Sequence, residues 1–274
     1  MSRIKKGILT TLSLLLGILT AAALARISGG SFSVYAKAQD AGGFDVPSAE
    51  GGFARMIALR APLIAGGCRA SVCPDADALL EAEAECLRAF GLLPGSVWER
   101  VERYAGPFAV VLCGSISADD AQTPGSPRAC LADCGGMELI FIDCESGFAF
   151  RSAVHELCHL IDRALFEAAK TDPSHWSEEG WAALDPEGFA YYGAYLDAEG
   201  RPYSEYGSPD LTAEADPDAA YFISRYAKTF PTEDRASLVE TLFRLGPDSL
   251  IMRSPHLEAK LAYYAEAIRY YLGN

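Results

Sequence analysis

Arg151-Ser-Ala-Val-His-Glu-Leu-Cys-His-Leu-Ile-Asp162 contains His155-Glu156-Leu157-Cys158-His159, an H-E-x-x-H sequence. Its flanks predict a helix. Phe150, Val154, Leu157, Ile161 and Leu165 recur at spacings of three and four, which gives one apolar face. On a helix, residues four apart lie one above the other on the same side. His155 and His159 can therefore present two imidazoles to one metal ion, with the Glu156 carboxylate beside the first. The chain has only four histidines, so placing two of them at this spacing uses half its supply.

H-E-x-x-H on a helix is the pattern of the helical half of a zinc peptidase site. Such a site needs a third protein ligand, and two acids qualify on spacing. Glu179 lies 20 residues after His159, as in thermolysin-like enzymes. Glu233 opens a predicted helix, and a helix holds a ligand more rigidly than a loop does. The metzincin pattern is excluded. Its Gly and His would fall three and six residues after the second His, at Asp162 and Leu165.

The chain of 274 residues is half hydrophobic and long enough for one large domain or two modest lobes. A net charge of −14 argues against nucleic acid as a partner, because phosphate binding needs basic patches. Arg3, Lys5 and Lys6 precede an uncharged run, Gly7 to Ala25, that ends in the small-x-small sequence Ala23-Leu24-Ala25. Residues 1–25 are expected to be a bacterial-type signal peptide, with an uncleaved membrane anchor as the alternative. Cleavage would remove three basic residues and take the charge from −14 to −17. The expected location is secreted or extracytoplasmic and membrane-anchored, with possible membrane association only through this segment. Eight cysteines suit an exported chain, and Cys68/Cys73 and Cys130/Cys134 are near enough in sequence to suggest local bridges. Cys158 is expected to be buried in the motif helix. No C-x-x-C occurs, which argues against a four-cysteine zinc site.

Residues 26–52, rich in Gly, Ser and Ala, read as a linker to a domain spanning residues 53–274. Helices are expected over residues 75–91, stopped by Gly91, and over residues 94–104. Phe108-Ala-Val-Val-Leu112 and Met137-Glu-Leu-Ile-Phe-Ile-Asp-Cys144 read as strands, with residues 117–136 a loop between them. Residues 137–144 are either the sheet edge to which an extended peptide adds or part of the core. Beyond the motif come a loop at 171–181, an aromatic stretch at 185–195 read as packing, and an acidic loop at 197–220. Helices over residues 233–245 and 256–272 close the chain.

The helix sequence His155-Glu-Leu-Cys-His-Leu-Ile-Asp162 is followed downstream by Tyr226, by Glu233 seven residues later and by Ala236. Together these resemble the lethal-factor-like gluzincins, a group of secreted zinc metallopeptidases. The resemblance implies Zn2+ held by His155, His159 and Glu233. It also implies Glu156 as the base and Tyr226 as the hydroxyl near the scissile carbonyl. One departure stands out, since the group's second acid, four positions after the ligand, is Ser237 here. Asp234 and Asp162 are the acids that could compensate. Asp162 either orients a ligand or faces solvent.

The expected architecture is α+β and zincin-like (gluzincin), with a small sheet-bearing N-terminal lobe, a helical C-terminal lobe and a cleft between them. The expected function is zinc-dependent endopeptidase action on a peptide or protein substrate. The alternative is a non-enzymatic extracellular binding or adhesion module on the same fold. Glu156 separates the two, because a structural metal site has no need of a base.

Overall fold

The computed structural model describes residues 55–118, 127–203, 219–246, 249 and 253–273. The expected export segment, the linker and most of the acidic loop lie outside the described residues. Among the described residues no helix is long and apolar enough to cross a membrane. The chain divides into two compact units at Leu157/Cys158, inside one continuous helix.

The first unit carries β1 (Arg55–Ala58), β2 (Leu63–Ala65), β3 (Cys68–Ala70), α1 (Ala76–Phe90), α2 (Gly95–Ala105), β4 (Phe108–Cys113), β5 (Ile116–Ala118), β6 (Ala129–Cys134) and β7 (Met137–Asp143). Two sheets result. One has the order β1-β4-β7-β6, with the first three strands parallel and β6 antiparallel. The other is an antiparallel β2-β3-β5 sheet. The apolar runs of β4 and β7 become the two central strands of the four-stranded sheet. Val110 pairs with Ile140 and Val111 with Phe141, all buried. Strands covered on both faces need such continuous apolar sequence. Ile57, Val111, Ile116, Leu139 and Phe141 form one core with the small residues Ala65, Ala70 and Ala109.

One open alternative closes here and two expectations change. Strand 137–143 is interior, because β6 pairs along its outer side, so residues 137–143 belong to the core of the sheet and β6 lies at its edge. The expected loop at 117–136 contains β6 and the end of β5, with residues 119–126 outside the described set. The reason for β6 is the turn Gly135-Gly136. Both glycines have positive φ, at 65° and 89°, and they close a two-residue hairpin that pairs Cys134 with Met137. The other change is the disulfide, which joins Cys68 on β3 to Cys130 on β6. Cys130 and Cys134 cannot bridge each other, because four residues of extended strand span about 13 Å, well beyond disulfide reach. Cys73 instead turns its thiol to the Asp75 carbonyl at the start of α1. Asp75 caps that helix by accepting from the Asp77 and Ala78 amides at 2.9 and 3.2 Å.

β7 runs through a short 3-10 turn (Cys144–Ser146) and Gly147, at φ 69°, into α3 (Ala149–Ala169). The turn is capped by Asp143, whose carboxylate accepts from the Glu145 amide at 2.9 Å. The second unit begins at Cys158 on this helix, and that residue is buried. It adds α4 (Glu178–Ala182), a 3-10 turn (Tyr226–Lys228), α5 (Pro231–Leu245), α6 (Pro255–Ala267) and a π-helical turn (Ile268–Leu272). α4 falls in the expected loop at 171–181, where the Ser177 hydroxyl caps it by accepting from the Gly180 amide at 2.9 Å. The closing helix ends as an α-helix at Ala267 rather than at Leu272. The aromatic stretch has no regular structure over most of its length. It is pinned to the turn before α5 by the Tyr192 amide on the Lys228 carbonyl and the Gly193 amide on the Thr229 carbonyl, both at 2.9 Å.

Candidate metal centre

α3 is buried around most of its circumference. Ala153, Val154, Leu157, Leu160, Ile161, Ala164 and Leu165 are all buried, and so are His155, Glu156 and Asp162. Hydrophobic burial drives the helix inward, and the motif polar groups go in with it. One ligand atom from each of His155, Glu156 and His159 lies within 4.8 Å of the other two. The i, i+4 geometry of the helix produces this grouping without help from the rest of the chain.

Glu233 approaches that group at His159, where its Oε2 lies 3.7 Å from Nε2. Two donors bound to one tetrahedral zinc at about 2.05 Å each stand about 3.3 Å apart, so this separation suits a shared ion. Glu233 reaches its place through the start of α5. Phe230 is extended at φ −143°, Pro231 takes the first helical position, and Glu233 follows in the first turn. A carboxylate is favoured there by the unpaired amides of the helix start. Glu179, the other candidate, is exposed on α4. His155, Glu156 and His159 supply the ligand atoms grouped closely enough to hold a metal ion among the described residues, and Glu233 stands next to that group at His159.

The Glu233 carboxylate has a second partner that sequence reasoning missed. Tyr195 donates its hydroxyl to Oε1 at 2.9 Å. Tyr226 is half-buried in the 3-10 turn, and its ring stacks on that of Tyr195 with centroids 5.9 Å apart and planes 24° from parallel. The structure thus brings Tyr226 within one ring of Glu233, and it puts the hydroxyl of Tyr195, from the aromatic stretch read as packing, on the carboxylate itself.

Behind Glu233, α5 continues with the buried charges Asp234 and Arg235. Arg235 Nε donates to Asp162 Oδ2 at 2.7 Å, and its two terminal nitrogens reach Glu178 at 3.1 and 3.2 Å. The guanidinium also lies over the rings of Trp176 and Trp181. Asp162, three residues after His159, is therefore buried against a cation and does not face solvent. Burial pushes its carboxyl up to about 6 against the pull of Arg235. Burial opposes the Arg235 cation, but Asp162 and Glu178 outweigh it and hold that group above its ordinary value. On the neighbouring side, Lys260 Nζ lies 2.7 Å from both Asp234 and Asp185, and Tyr191 donates to Asp234 at 2.9 Å. Burial pushes the Asp234 carboxyl up to about 6, with Lys260 working against it. Ser237, at the position of the expected second acid, is buried. The sequence signal for this network is the run of three charges, Glu233-Asp234-Arg235, in the first turn of a helix whose buried residues also include Ser237, Glu240 and Thr241.

Comparison with known proteins found no matching family model, no matching curated protein and no matching solved structure.

Proposed function

We propose that the protein is an exported zinc-dependent endopeptidase, with His155, His159 and Glu233 as metal ligands. The observation that carries this reading is the approach of Glu233 Oε2 to within 3.7 Å of His159 Nε2, from a helix far along the chain. A bound zinc would supply Lewis acidity to a peptide carbonyl and lower the pKa of a water toward neutrality. The remaining chemistry belongs to the chain. Glu156, buried and next to the first ligand, takes the proton of the attacking water and hands it to the leaving amine. Tyr226 donates a hydrogen bond to the oxyanion as it develops, a role that rests on the gluzincin resemblance.

The test is metal content and hydrolysis measured on the same samples. The purified protein should carry one zinc per chain, and His159→Ala should lose it. Glu156→Gln should keep the metal while cleavage of a denatured protein substrate falls by at least about 100-fold, because an amide cannot accept the proton. Zinc-loaded wild type that cleaves nothing across a broad peptide library would instead favour a binding module.

A further inference from the structure

The two oxygens of Glu233 have different surroundings. Oε2 faces His159 Nε2 at 3.7 Å, whereas Oε1 accepts the Tyr195 hydroxyl at 2.9 Å. An oxygen that already holds a charge-assisted hydrogen bond is a poorer metal ligand, so the bond assigns one oxygen to each task. Tyr195 is itself held firmly. The Tyr192 and Gly193 amides bond to the carbonyls of Lys228 and Thr229, the backbone that leads directly into α5. The Tyr195 carbonyl accepts the Tyr203 amide at 3.0 Å, and its ring packs against Phe230, the residue at the N-terminal boundary of α5, with centroids 4.8 Å apart. The segment presenting the hydroxyl and the helix presenting the carboxylate therefore move as one piece.

We propose that Tyr195 is a positioning residue for the metal. Its hydroxyl fixes Glu233 as a one-oxygen ligand aimed at the ion shared with His159. This takes over the orienting task that an acid at the Ser237 position would perform. The inference rests on the metal-centre reading above. Partners in the outer shell of a ligand fix its orientation, and their loss typically weakens metal binding by about 10- to 100-fold.

Zinc affinity of the metal-free full chain, read by competition with a chromophoric chelator, tests this directly. The d–d spectrum of the cobalt(II) form reports ligand geometry independently of activity. Tyr195→Phe, which removes one oxygen and keeps the ring stack, should weaken zinc binding by about 10- to 100-fold and shift the cobalt bands. If Glu233→Gln abolishes binding but Tyr195→Phe binds zinc and cobalt like wild type, Tyr195 has no positioning role and the metal centre stands. If wild type binds no zinc, both readings fail together. A Tyr195→Phe chain that loses its circular dichroism signal without metal also overturns the inference, since the hydroxyl would then be supporting the fold and not the ligand.

Discussion

Both units have apolar interiors, but the helical unit buries far more paired charge than the sheet-bearing one. The sheet-bearing unit is held by Ile57, Val111, Ile116, Leu139 and Phe141, packed with small residues and tied by the Cys68–Cys130 disulfide. The helical unit buries Asp162, Glu233, Asp234, Arg235, Glu240 and Lys260, each less than a tenth exposed. An apolar core loses stability in graded steps as methylenes are removed. A core of paired charges behaves differently. Each ion gave up its hydration on folding, and only its partner offsets that cost, so removing one partner strands the other. Such a core is a poor way to gain stability but an effective way to hold one carboxylate in one orientation. Glu233 sits at the head of this network, on the same helical turn as Asp234 and Arg235.

The contrast can be broken most severely at Lys260, which is fully buried and lies 2.7 Å from both Asp185 and Asp234. Lys260→Ala leaves two buried acids without their cation and should cost about 3–5 kcal/mol in chemical denaturation. A loss below about 1 kcal/mol would show that the charges are not what holds this unit.

Arg235 gives a sharper version. Arg235→Ala strands Asp162 and should cost about 3 kcal/mol, with the exposed end of Glu178 recovering its hydration. The double variant Arg235→Met with Asp162→Leu removes the pair together and should be more stable than either single change. Measured as a double-mutant cycle, the coupling should be about 1–3 kcal/mol. Additive losses would mean that the two side chains act independently despite their 2.7 Å contact.

The mildest effect is expected in the sheet. Ile140→Val deletes one methylene from a fully buried position on β7 and should cost about 0.5–1.5 kcal/mol, read from the denaturation midpoint. A cost as large as that of Lys260→Ala would erase the distinction between the two interiors.

Periodicity alone made α3 legible, together with the meeting of His155, Glu156 and His159 on it. It also exposed the buried runs of β4 and β7 and the ends of α1 at Asp75 and Gly91. These features depend on backbone geometry and on neighbours within a turn or two, and that information lies in adjacent residues. The proximity of Glu233 to His159, the hydroxyl of Tyr195 on Glu233, the pairing of Arg235 with Asp162 and the bridge from Cys68 to Cys130 were decided by the tertiary structure. Each joins segments far apart in the chain, and no local spacing encodes which of several acids, tyrosines or cysteines will be brought across. β6 stands between the two cases. Gly135-Gly136 lies in the stretch that composition reads as a loop, and its neighbours become a strand only when β7 supplies their hydrogen-bonding partner. The helix motif follows from sequence because a helix satisfies its own backbone, whereas the third ligand and its orienting hydroxyl required the whole chain to close around them.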